Sequence, residues 1–160
     1  GAKQLQAGWQ ELKEILKLTK ILTLNKDEAI ELILSHPAQT GGMSQELPSQ
    51  KCEDLIKTLV SWGPEIVIIT VGKDGAYVGD KENVYYAPVS MLKRVETTGV
   101  GDAFGSGFLA GFIATGDIKE ALKWGIANSG NVVGFYGAQD ELLTKKEIKK
   151  KIKEIEIKSI

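Results

Sequence analysis

Leu5, Trp9, Leu12 and Leu16 recur at helical spacing, so the chain opens on a helix with one apolar face, ending near Thr19. Ile21-Leu22-Thr23-Leu24 is then an apolar run of strand length, and Asn25 falls where the strand stops and a helix starts at Lys26 or Asp27. Two prolines, Gly41-Gly42 and many small polar residues make Ser35 to Gln50 a loop or excursion. A second amphipathic helix, Lys51 to Trp62, is closed by Gly63-Pro64 and delivers the chain into Ile66-Val67-Ile68-Ile69-Thr70, a β-branched run expected to be buried on both faces.

Gly72 and Gly75 bracket a turn, after which Ala76-Tyr77-Val78 and Val84-Tyr85-Tyr86 form a hairpin joined through Asp80 to Asn83. The last third is helical: Asp102 to Thr115, Ile118 to about Phe135, and Lys145 to about Ile155, the last with Ile148, Ile152 and Ile155 as its buried stripe. Strands alternating with helices imply an α/β layered sheet with helices packed over it. The 160 residues have the size of one domain, and we expect a single domain over 1–160.

Hydrophobic residues make up 42% and charged residues 26%, the profile of a globular protein, and a cytoplasmic location is expected. A net charge of −1, with both signs interspersed, gives no field to attract nucleic acid or an anionic membrane, so any charged ligand must be held locally. No apolar run approaches the roughly 20 residues a bilayer requires. The single cysteine, Cys52, forms no intrachain disulfide and reads as a packing residue at a helix start. The lysines between 145 and 153 alternate with Glu147 and Glu154 without aromatic interleaving and read as a solvated face. His36 is assigned no chemistry, and Trp9, Trp62 and Trp124 are expected in the core.

The chemistry concentrates in Thr97-Thr98-Gly99-Val100-Gly101-Asp102-Ala103-Phe104-Gly105-Ser106-Gly107, which runs from a turn into a helix. Gly99 and Gly101 can take backbone angles that aim consecutive N–H groups into one concavity at the helix N-terminus, where an anion binds. A carboxylate placed there, Asp102, is suited to act as a general base, although the same pattern also suits a simple cap and turn. Gly105, Gly107 and Gly111 cost roughly 1 kcal/mol each in a helix relative to Ala, so a close neighbour along that helix is expected.

The segment from Thr97 to Gly107 resembles the C-terminal signature of the ribokinase (PfkB) family, D-T-T-G-A-G-D-x-F-x-x-G, with Glu96 in place of the leading aspartate and Val100 in place of the alanine. The remaining matches follow in order. Gly1 resembles the glycine of the family's N-P-G turn, Asn25-Lys26-Asp27-Glu28 its N-x-x-E motif, and Thr70-Val71-Gly72-Lys73-Asp74-Gly75 its T-x-G-x-x-G strand end. Ala127-Asn128-Ser129, followed by Gly137-Ala138, is similar to its A-N-x-A helix and G-A turn.

The resemblance implies a ribokinase-like layered sheet with flanking helices, truncated so that the N-terminal half and its lid are missing. The implied activity is ATP-dependent phosphorylation of an alcohol group on a sugar-type substrate, with ATP and Mg²⁺ as cofactors and no nucleic-acid or membrane partner. Asp102 takes the position of the catalytic aspartate, and the N–H groups of Gly99, Val100, Gly101 and Asp102 form the anion hole. Asn25, Thr70, Gly72 and Gly75 fall on phosphate-facing positions, Asn128 on the adenine and ribose pocket, and Glu28 on the Mg²⁺-organising carboxylate.

Read from the residues alone, Asn25 with Glu28 is a capping-box pattern, Thr70 to Gly75 a hairpin entry, and Asn128 a solvated helix-face residue. The abrupt start points to truncation. It is expected to leave the Ile21 strand as an exposed sheet edge, through which the chain dimerises or behaves poorly in solution. A noncatalytic nucleotide- or phosphate-binding remnant, or an assembly module, is the alternative. A dinucleotide-binding fingerprint fits poorly: its third glycine is one position late, and Lys93-Arg94-Val95-Glu96 replaces the apolar strand that should precede it.

Overall fold

The computed structural model describes residues 8–37, 49–89, 99–132 and 143–160. Helix α1 (Gly8–Lys17) leads to strand β1 (Ile21–Asn25), helix α2 (Lys26–Leu34), helix α3 (Cys52–Ser61) and strand β2 (Ile66–Thr70). A 3₁₀ turn (Gly72–Asp74) precedes β3 (Ala76–Gly79) and β4 (Val84–Ala87). Helices α4 (Val100–Thr115), α5 (Ile118–Val132) and α6 (Lys145–Lys151), a 3₁₀ turn (Ile152–Glu154) and β5 (Lys158–Ser159) complete the order. The five strands form one sheet in the order β1-β2-β3-β4-β5, giving the expected α/β class, with β1 parallel to β2 and β4 antiparallel to β5.

The chain divides into two compact units. The first comprises residues 1–71 with 77–84 and Ile160. Its core joins Leu55, Ile56 and Leu59 of α3 to Leu32 and Ile33 of α2 and to Val67 and Ile69 of β2. All of β2 but its last residue is buried, as the continuous β-branched run requires for a parallel strand covered on both faces. Cys52 lies 7% exposed at the start of α3, as its neighbourhood suggested, and burial pushes its thiol above the ordinary value.

Trp9, His36 and Trp62 form a half-buried aromatic cluster with centroids 4.4 to 4.8 Å apart, His36 stacked on Trp62 and Trp9 tilted or edge-on to both, and Trp62 packs against the core from its margin. The β3–β4 turn is tied as expected: Asp80 N–H donates to the Asn83 carbonyl at 3.0 Å, and Asp80 Oδ1 accepts from the N–H groups of Glu82 and Asn83.

The second unit comprises residues 72–76 and 85–159. Its centre is the α4–α5 pair, where glycines let the two helices close on each other. A Cβ on Gly107 would lie 2.8 Å from Asn128 Cβ and from the Trp124 carbonyl oxygen, and one on Gly111 would lie 2.8 Å from the Trp124 ring. From the other side, Gly125 leaves room for Phe104. The close neighbour expected from the glycines is therefore real at Gly107 and Gly111. Gly105 departs from the expectation, because a Cβ there would meet nothing within 4 Å.

The chain's last segment also departs from the expectation. The α-helix ends at Lys151, only Ile148 of the anticipated stripe is buried, and Ile152 and Ile155 are half-buried. Lys158–Ser159 instead pairs with Tyr85 and Tyr86, a β-bridge too short to leave a periodic signal. Lys146, Lys149 and Lys150 are exposed, while Lys151 Nζ donates to Asn131 Oδ1. Among the described residues no helix is long and apolar enough to cross a membrane.

Candidate active site

In the first unit the parallel pairing of β1 with β2 brings three candidate residues together. The ladder runs from Ile21 opposite Ile66 to Asn25 opposite Thr70, so these two residues end adjacent strands at the same level. Asn25 then caps α2: its Oδ1 accepts from Glu28 N–H at 2.8 Å, while Glu28 Oε2 accepts from Asn25 N–H at 2.8 Å. The capping box foreseen from the residues alone is present in full, and it fixes Glu28 beside the strand ends. Thr70 Oγ1 lies 3.5 Å from the Leu24 carbonyl oxygen and is half-buried.

The remaining candidates belong to the second unit. Gly72 and Gly75 flank the 3₁₀ turn with φ of +54° and +110°. A Cβ on Gly72 would meet nothing within 4 Å, whereas one on Gly75 would fall 2.1 Å from the Ala87 carbonyl oxygen. Gly75 is thus required by packing, and Gly72 by backbone conformation at an open surface.

Helix α4 opens on Gly99, whose φ of +79° is left-handed and would strain a side chain. The first backbone bond after that cap runs from Ala103 N–H to the Gly99 carbonyl at 2.9 Å. The N–H groups of Val100, Gly101 and Asp102 therefore precede any intrahelical acceptor and form the positive end of a sixteen-residue helix. Gly101 and Asp102 are exposed, a Cβ on Gly101 would meet nothing within 4 Å, and α4 starts two residues earlier than its sequence pattern indicated. The turn combines open N–H donors with an exposed carboxylate on the same helix end.

Asn128 is brought to this turn from α5. It is 4% exposed and not solvated. Its Nδ2 donates to the Ala103 carbonyl at 2.8 Å, and its Oδ1 accepts from Leu143 N–H at 3.0 Å. Both ends of the amide are used, so Asn128 braces the first turn of α4. Ser106, which the sequence reading passed over, lies 3.5 Å from the same Nδ2. The nearest sequence signal for this brace is Gly107, whose missing side chain admits Asn128. Glu96, Thr97, Thr98, Gly137 and Ala138 lie outside the described residues.

Among the described residues no group of three or more His, Cys, Asp or Glu side chains could hold a metal ion unaided. Mg²⁺ bound through one or two carboxylates together with phosphate oxygens and water does not require such a group. The α4 turn fits a phosphate group, since the Cβ position at Gly101 is open space beside N–H donors that have no intrahelical acceptor.

An α/β sheet with a glycine-opened helix whose first N–H groups have no intrahelical acceptor and stand beside an exposed carboxylate has features that suit phosphate. The comparisons narrow that reading. Residues 4–145 match the pfkB family of carbohydrate kinases, and the chain belongs to that family. An uncharacterised sugar kinase of Archaeoglobus fulgidus is 33% identical over 144 residues, 89% of this chain and 51% of that protein.

A nucleoside kinase of Methanocaldococcus jannaschii superposes with a TM-score of 0.73 at 22% identity, over 94% of this chain and 46% of that one. An E. coli structure described as a ribokinase II in complex with ATP and Mg²⁺ superposes with a TM-score of 0.70 at 22% identity, over 89% and 42%. The chain thus spans about half the length of the Archaeoglobus relative.

Proposed function

We propose that this chain supplies the nucleotide-binding half of an ATP-dependent kinase that phosphorylates an alcohol group of a sugar-type substrate. The observation that carries the proposal is the first turn of α4, where Gly99 at φ +79° and the open Gly101 set backbone N–H groups that have no intrahelical acceptor beside the exposed Asp102. Family membership supports the reaction class, and the ATP and Mg²⁺ bound to the E. coli neighbour support the cofactors.

Each residue then has a role set by its chemistry. Asp102 accepts the proton of the attacking hydroxyl. The N–H groups of Gly99, Val100, Gly101 and Asp102 stabilise charge developing on the transferring phosphoryl group, and do so without reorganisation because the helix already orients them. Asn128 holds the Ala103 carbonyl and keeps that turn in place while the nucleotide occupies its vicinity. Asn25, Thr70, Gly72 and Gly75 would lie toward phosphate, and Glu28 would be the carboxylate that helps hold Mg²⁺. ATP with Mg²⁺ supplies the phosphoryl group and the positive charge that neutralises it.

The test is calorimetric titration of the purified chain with Mg²⁺-ATP, beside Asp102→Asn. Saturable binding that persists in the variant, with phosphotransfer in the complete enzyme abolished by the same change, is the expected outcome. A folded chain that binds no nucleotide, or a variant that retains full turnover, overturns it; binding with no turnover on any sugar favours the noncatalytic remnant.

A further inference from the structure

The 3₁₀ turn of Gly72–Asp74 has little of its own to keep it in one conformation, yet it is held. Gly72, Lys73 and Asp74 are all exposed. The turn opens on Gly72, at φ +54°, and is followed by Gly75, at φ +110°. Glycine leaves the backbone more freedom than any other residue, so so short a segment set between two of them depends on outside contacts for its shape.

A short 3₁₀ turn also leaves its last carbonyls without partners inside the turn. Asp74 is the last residue of this one, and the Tyr86 hydroxyl donates to its carbonyl oxygen at 2.5 Å. The bond is exposed, where water could satisfy the same carbonyl, so its effect lies in geometry more than in stability.

Tyr86 is itself well anchored. Strand β4 lies between β3 and β5, and Tyr86 is the register partner of Lys158 in the antiparallel β4–β5 pair. Its side chain is half-buried, while Tyr85, on the opposite face of the strand, is buried with Lys119 Nζ 4.5 Å from the centre of its ring. The same end of β4 meets the turn a second time. A Cβ on Gly75 would fall 2.1 Å from the Ala87 carbonyl oxygen and 2.9 Å from Pro88 Cα, so Gly75 lies against the backbone that follows Tyr86. Packing thus pins Gly75, and the hydroxyl pins the carbonyl just before it.

We propose that Tyr86 is a positioning residue of the nucleotide site: its hydroxyl keeps the Gly72–Asp74 turn in the arrangement that leaves the open side of Gly72 to a phosphate group. The inference rests on the kinase reading, which sets Gly72 toward phosphate, and adds a residue that acts through the turn. A turn already in place binds more tightly than one the ligand must order, because apparent affinity scales with the fraction of molecules that are competent beforehand.

The experiment compares this chain with Tyr86→Phe, which removes the hydroxyl and keeps the ring, and with Tyr85→Phe as the control. Amide ¹⁵N relaxation without nucleotide reads the brace. Order parameters at Lys73 and Asp74 are expected to be about 0.85 in the parent and in Tyr85→Phe, and about 0.6 or lower in Tyr86→Phe. The Asp74 carbonyl carbon resonance moves upfield in Tyr86→Phe alone, and the β2 amides do not change. Titration with Mg²⁺-ATP, followed on the same spectra, is expected to show affinity about three- to ten-fold weaker in Tyr86→Phe, the range that one hydrogen bond spans. Adenosine, which carries no phosphate, should bind parent and variant alike.

Order parameters and an Asp74 carbonyl resonance that stay unchanged in Tyr86→Phe would overturn the proposal. So would a Mg²⁺-ATP affinity indifferent to a loosened turn, or an equal loss for adenosine, which would make the effect a general one. A parent chain that binds no Mg²⁺-ATP counts against the kinase reading alone, because relaxation decides the brace in the absence of nucleotide.

Discussion

Asn25 and Thr70 are register partners, facing each other across the last rung of the parallel β1–β2 ladder although 45 residues separate them. The strand ends thus gather an amide and a hydroxyl beside the N-terminus of α2, in the kind of crevice where open α/β sheets bind ligands. Asn25 serves the cap first. Asn25→Ala is expected to lower stability by about 1 kcal/mol, the usual cost of losing such a cap. Urea denaturation of the chain measures it, and an unchanged midpoint would show that the capping bonds contribute nothing.

Glu28 has two separable duties, and one substitution distinguishes them. Glu28→Gln keeps an oxygen that can accept from Asn25 N–H, as either residue does in a capping box, but removes the charge. Stability is expected to change by no more than about 0.5 kcal/mol, while Mg²⁺-dependent nucleotide affinity falls several-fold. Equal affinities for the variant and the parent would leave Glu28 with its structural duty only.

The glycines of α4 are expected to respond in opposite directions. Gly107→Ala forces a methyl group to within 2.8 Å of Asn128 Cβ and the Trp124 carbonyl oxygen, an overpacking that costs about 1–3 kcal/mol. Gly105→Ala enters open space and gains about 0.5–1 kcal/mol of helix propensity. Parallel denaturation curves check the pair, and a destabilised Gly105→Ala would mean that something covers that face.

Gly101→Ala tests the anion hole without touching the fold. Its φ is not positive and its Cβ would meet nothing, so stability is expected to hold or rise slightly. The added methyl group occupies the space through which phosphate oxygens approach the N–H groups, so Mg²⁺-ATP binding should weaken about ten-fold or more, roughly 1.4 kcal/mol. Calorimetry that finds the affinity unaltered would remove the α4 turn from the phosphate site.

Glu147 makes α6 acid-sensitive. Hydrogen bonds from the Thr144 hydroxyl and then its backbone N–H hold the Glu147 carboxyl below its ordinary value. A depressed folded-state pKa means that the stabilisation is fully present above the ordinary carboxylate range and is lost as pH falls through the lowered value. Amide protection across Lys146–Lys151, corrected for the intrinsic pH dependence of exchange, should fall in that acid window, and Thr144→Val, which removes the hydroxyl but keeps the backbone N–H, should reduce the dependence. Exchange equally pH-dependent in both proteins would assign the effect to other carboxylates.

How much was legible in advance follows from how local each determinant is. The α3–β2 passage was read nearly to the residue because amphipathic periodicity and a β-branched run are contiguous in the chain. The capping box was legible for the same reason, since its two bonds close within four residues. The end of the chain departs from its pattern: Ile148, Ile152 and Ile155 keep helical spacing, yet the helix tightens into a 3₁₀ turn and a two-residue strand takes over. That strand exists only because Tyr85 and Tyr86 offer it a ladder, a condition no local pattern records.

The sequence by itself therefore determined the elements, the family signature and the helix that presents Asp102, because periodicity, caps and glycine placement act over a few residues. Only the tertiary structure decided that Asn128 is a buried brace on the Ala103 carbonyl, that Gly107 admits it while Gly105 faces open space, and that Leu109 and Ile113 stand uncovered in line with Asp102. These are properties of surfaces meeting, or failing to meet, across long stretches of chain, and burial is not encoded at any one position.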